Sequence, residues 1–157
     1  DSYYKYELSP ERYGDWIAHF KDDSGELVTV SFEYWGGPEL YIVEFKRKDV
    51  FHMTNDSPED RNQGVKIMST VIKIIKDVIG QTKGSDKPPK FLAYSVQKDE
   101  KSRASLYAKL LAKVGSSLGY HVVKDVDSVD HPVLPVWWRN KMKMSGGSHD
   151  FVLLAKE

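Results

Sequence analysis

Residues 61–80, RNQGVKIMSTVIKIIKDVIG, decide how the rest of the chain is read. Met68, Val71, Ile72, Ile75 and Ile79 recur at steps of three and four, the period of one helix face. Ile67 and Ile74 fall on another face, so the helix is apolar over more than one stripe and largely buried. The run TNDSPED at 54–60 leads into its start and Gly80 ends it, before the loop QTKGSDKPP at 81–89. On either side lie short apolar runs, Leu40–Phe45 and Phe91–Val96. A helix with two apolar faces is buried economically as the crossover between parallel strands. The reading therefore predicts that 40–45 and 91–96 are neighbouring parallel strands joined by the helix, with Ile72 and Ile75 buried.

Working outward, Tyr13–Phe20 and Leu27–Phe32 flank the turn cluster Asp22-Asp23-Ser24-Gly25 and read as a hairpin. Gly36-Gly37-Pro38 then turns the chain into Leu40–Phe45, for three antiparallel strands in the first fifty residues. SPER at Ser9 is an alternative helix cap. On the other side, a second helix from about Lys101 carries Tyr107, Leu110, Leu111, Val114 and Leu118 on one face, which places Leu110 and Leu111 in the core. Tyr120–Val126 and Phe151–Ala155 read as strands, and 127–149 as irregular. The sum is an α/β (α+β) fold: one mixed, mostly antiparallel sheet with a central βαβ unit, in a single domain over 1–157.

Composition narrows the function. The chain has no cysteine, which excludes thiol nucleophiles and thiolate metal sites. Lysine plus arginine equals aspartate plus glutamate at 23 each, so a strongly basic nucleic-acid binder is not indicated. Residues 1–50 nevertheless carry 6 basic and 11 acidic side chains against 17 and 12 in the remainder, which makes the latter part the better host for an anion. No stretch approaches the roughly 20 apolar residues of a membrane span. The polar start DSYYKYELSPER is unlike a signal peptide, so a cytoplasmic setting is expected. The chain opens on Asp1, and further sequence is expected to precede it.

The order of elements, with Arg61-Asn62-Gln63-Gly64-Val65-Lys66 opening one helix and Ser102-Arg103-Ala104-Ser105-Leu106-Tyr107 opening the next, resembles the GCN5-related N-acetyltransferase (GNAT) superfamily over about residues 40–125. That superfamily carries R/Q-x-x-G-x-G/A at a helix start, then a strand, then a helix with N-x-x-A-x-x-L-Y. The resemblance implies a GNAT-like fold that binds acetyl-CoA and acylates an amine on a small molecule or protein. It implies that Arg61, Asn62, Gln63, Gly64, Val65, Lys66 and Ser102 hold the coenzyme, its pyrophosphate resting on free N–H groups at a helix start. It further implies that main-chain amides at Ile42 and Val43 polarise the thioester carbonyl, and that Tyr107 protonates the departing thiolate. Within this space the chain is similar to small bacteriophage proteins that share the run Val65–Ile72 and the Ser102-Arg103…Leu106-Tyr107 pair. The chain departs from the pattern at Lys66, where Gly or Ala is usual, at Ser102, where Asn is usual, and at the acidic pair Glu59-Asp60. An alternative is therefore a phage-encoded GNAT-like domain without catalysis, serving as a virion-structural or host-interaction module in the virion or host cytoplasm, with a protein partner.

Other chemistries are weaker. Tyr107 also fits as plain core beside Leu110 and Val114, and Ser102 as a helix N-cap. The five histidines stand apart, with no H-x-x-x-H spacing for a metal, and no G-x-S-x-G elbow occurs. Trp137-Trp138-Arg139-Asn140-Lys141-Met142-Lys143 joins aromatic and basic residues and can stack nucleic-acid bases, against the plainer reading of indoles covering a sheet edge.

Overall fold

A computed structural model describes residues 3–47, 58–84, 89–97, 112–146 and 149–157. The architecture is α/β. Seven strands, β1 (Tyr6–Pro10), β2 (Trp16–Lys21), β3 (Leu27–Trp35), β4 (Leu40–Arg47), β5 (Phe91–Gln97), β6 (Tyr120–Val122) and β7 (His149–Lys156), follow the order β1-β2-β3-β4-β5-β7-β6. The helices are α1 (Pro58–Thr82), α2, described over residues 112–117, and α3 (Leu134–Met144). The expected βαβ unit is present: β4 and β5, which flank α1 in sequence, pair in parallel with Leu40 opposite Phe91 and Val43 opposite Tyr94. The β1–β2, β2–β3, β5–β7 and β6–β7 pairs are antiparallel.

The chain forms two compact units, residues 1–33 with 44–85 and residues 34–43 with 86–157. In the first, the β1-β2-β3 meander turns its inward positions Ala18, Phe20, Val28, Val30 and Phe32 into a core, as period-two alternation requires. The β2–β3 turn is held by Asp22, whose Oδ1 accepts from the Ser24 and Glu26 amides and the Ser24 hydroxyl. Helix α1 buries Ile67, Met68, Val71, Ile74, Ile75 and Val78. Ile72 is only half-buried, because the stripe centres on the 67/71/74/78 ridge rather than on the 68/72/75/79 ridge. Leu110 and Leu111 lie outside the described residues. Tyr4 ties the meander to the helix: its amide donates to Thr70 Oγ1 at 2.8 Å, its ring stacks on Phe20, and the Lys66 ammonium stands 4.3 Å above it.

The second unit gathers Leu40, Ile42, Phe91, Ala93, Leu134, Leu153 and Ala155 into one cluster, with Trp137 and Trp138 packed against it. Here the sequence reading needs three corrections. Residues 127–149 are not irregular, since they contain α3; Pro135 stands in its first turn, where a missing N–H costs nothing. The strand from Tyr120 stops at Val122, not Val126. In the first unit a strand, β1, occupies the stretch around Ser9 in place of a capped helix.

Candidate functional site

Ile42 and Val43 are buried on β4, opposite Ala93 and Tyr94. On its other side β5 is in register with β7 from Phe91 opposite Ala155 to Gln97 opposite His149. Tyr94 is fully enclosed, burial pushes its phenol up from the ordinary value, and its hydroxyl has no hydrogen-bond partner among the described residues.

Helix α1 begins at Pro58, earlier than the expected opening at Arg61. Arg61, Asn62, Gln63, Gly64, Val65 and Lys66 therefore lie within the helix, where N–H groups bond along the ladder; the free amides of its first turn are those of Glu59 and Asp60. Val65 is exposed and Gly64 half-buried, while Lys66 is engaged with the Tyr4 ring. The Gln63 amide nitrogen is buried without a partner among the described residues. Ser102, Arg103 and Tyr107 lie outside the described residues.

The structure also assembles a constellation that no motif announces. Glu39, at the end of the Gly36–Glu39 turn, adopts a left-handed backbone with φ 57°. Its carboxylate meets His131 Nε2 at 2.9 Å and Lys90 Nζ at 3.3 Å. His131 Nδ1 accepts from the amides of Val133 and Leu134 at 3.2 and 3.1 Å, capping α3. An Nδ1 that accepts leaves the proton on Nε2, so Nε2 donates to Glu39. The hydrogen bond from His131, reinforced by Lys90, holds the Glu39 carboxyl below the ordinary carboxylate range. With both ring nitrogens committed, His131 is a structural clamp rather than a general base. Ninety-two residues separate the pair, and only the fold brings them together.

Beside this clamp lies a cleft of about 770 Å³, walled by Lys90, His121, Lys124, Asp130, His131 and Lys156 over a floor that includes Phe91, Val123 and Ala155. Trp137 and Trp138 are half-buried and pack on Trp35 and Phe151 at 5.5 and 6.0 Å between ring centres. No group of three or more His, Asp or Glu side chains able to hold a metal occurs among the described residues, and none of the described helices is long and apolar enough to cross a membrane.

No protein-family model matches the chain, and no curated protein matches it. Among solved structures it is similar to a crystal structure of nourseothricin acetyltransferase, at 12% identity over 94% of this chain and 68% of that one, with a TM-score of 0.45. That likeness is too low for any residue's role to be carried across.

Proposed function

We propose that the chain is a GNAT-like domain that binds an acyl-CoA and passes the acyl group to an amine. The observation that carries this reading is the parallel β4–β5 pair on either side of α1 in sequence, in register from Leu40 and Phe91 to Val43 and Tyr94. On this reading the acyl carbonyl is assigned to the β4 main chain at Ile42 and Val43. The chain's own residues fit the coenzyme at two further points. Gln63 keeps a buried amide donor without a partner among the described residues, as a phosphate acceptor requires, and the first turn of α1 has free amides at Glu59 and Asp60. When bound, the coenzyme supplies an activated thioester. Tyr107 is assigned the proton donated to the departing sulfur, and Ser102 a hydrogen bond to the coenzyme.

A second reading, a noncatalytic interaction module, is favoured by the same first turn. Two acidic residues, Glu59 and Asp60, fall in that turn, and Lys66, a cation that could offset them, is held over Tyr4. Calorimetric titration with acetyl-CoA separates the readings. Binding by the wild type, tightened in the Glu59→Gln/Asp60→Asn variant, supports the coenzyme site; no heat at millimolar acetyl-CoA selects the module. If binding occurs, Tyr107→Phe is expected to lower acyl transfer by about 10²–10⁴-fold with the affinity unchanged.

A further inference from the structure

We propose that His131 is a proton-operated latch on the start of α3: the neutral imidazole fastens the first turn of the helix, and a second proton on the ring releases that turn while the ring stays anchored to Glu39. The latch lies wholly within the second unit and is independent of the acyl-transfer reading.

Helix α3 needs a cap from outside its own cap position. Val133 stands where serine, threonine, aspartate or asparagine would supply an oxygen, and its side chain has none to offer. Pro135 carries no N–H, so the helix start brings three main-chain donors, at Val133, Leu134 and Val136. Two of the three end on the lone pair of His131 Nδ1, at 3.2 and 3.1 Å. The His131 amide in turn donates to the Val129 carbonyl at 3.0 Å, and the ring stands edge-on to Phe91 with 5.5 Å between ring centres. The side chain is 6% exposed, which leaves little room for water to replace the two cap bonds.

A nitrogen that accepts two amides cannot carry a proton. Protonation at Nδ1 replaces the lone pair with an N–H aimed at two other N–H groups, and both cap bonds are lost. The opposite side of the ring responds in the other sense. Nε2 keeps its proton in both states, and its bond to the Glu39 carboxylate becomes doubly charge-assisted when the ring is cationic. Titration therefore loosens one side of the ring and tightens the other, which confines the change to the start of α3. Among the charges around His131, Glu39 and the adjacent Asp130 favour the cation, and Lys90, 3.3 Å from Glu39, opposes it. Asp127 and Arg139, on the 126–128 turn and on α3, are paired with each other. The other ionisable groups of the cleft are His121, Lys124, Asp125, Lys156 and Glu157. Because His131 and Lys90 hold the Glu39 carboxyl below its ordinary range, the Glu39 anion persists through the interval of about pH 8 to 5 in which imidazoles charge.

The test follows the wild-type protein by NMR across that interval, reading the His131 ring nitrogens together with the main-chain amides of Val133, Leu134 and Val136. At the upper end the ring should show its proton on Nε2 and none on Nδ1. As the ring charges, the hydrogen-exchange protection of Val133 and Leu134 should fall about tenfold, the size of a helix cap, in step with the ring and with no change in α1. His131→Asn offers the same amides an oxygen that does not titrate, and should hold their protection level across the interval. Glu39→Gln removes an anion that favours the cation, and should move the step to lower pH. His121→Asn, elsewhere on the cleft wall, should leave the step in place. The proposal is overturned if the neutral ring carries its proton on Nδ1, if the ring stays neutral throughout, if the two amides keep their protection while it charges, or if the step survives in His131→Asn.

Discussion

Glu39 holds an unfavourable backbone conformation, φ 57°, while its side chain fastens His131 and Lys90. A side chain other than glycine in this region costs of order 1 kcal/mol or more, which the surrounding contacts must offset. Because the folded state lowers the Glu39 pKa, its contribution to stability is fully present above the ordinary value of 4.5 and is lost as pH falls through the folded value. Glu39→Gln is therefore expected to melt at a lower temperature than the wild type at neutral pH, and to lose less on acidification below about pH 4.5; melting curves against pH check both. Two buried tyrosines make a contrasting pair. The Tyr120 hydroxyl donates to the Pro89 carbonyl at 2.7 Å, so Tyr120→Phe should cost about 1–2 kcal/mol in urea unfolding. Tyr94 has no such partner among the described residues, so Tyr94→Phe should be neutral or stabilising.

Helix α1 shows how far periodicity reaches. The helix and its burial were legible, but two apolar stripes left the centre of the buried face open by one ridge, and packing chose Ile74 and Val78 over Ile72 and Ile79. Ile74→Ala or Ile75→Ala should cost about 2–5 kcal/mol in chemical denaturation, and Ile72→Ala clearly less. Helix α3 was illegible because prolines and paired tryptophans read as loop. Its cap comes from the side chain of His131, in a pair of contacts that no sequence template for helix starts contains. The meander was legible from its turns, yet β1 was missed, since Tyr6–Pro10 alternates weakly and ends on proline.

Across the whole molecule, local pattern announced the parallel β4–β5 pair and hence the place of Ile42 and Val43, because helix and strands are adjacent in sequence. The cleft and its clamp join Glu39, Lys90, the 121–131 stretch and Lys156, groups too far apart in sequence for any window to connect. The formal net charge is zero and the isoelectric point about 7.2, so solubility should pass through a minimum near neutral pH, measurable as light scattering against pH at low salt. The strand order carries a further consequence for how the chain is made. β7 lies between β5 and β6, although both are synthesised before it. During translation β5 and β6 must wait for a strand still inside the ribosome, and the second unit's sheet closes only after residues 149–156 have emerged. Nascent chains arrested near residue 146 would present β5 with an open edge, the kind of surface that trigger factors and holdases cover.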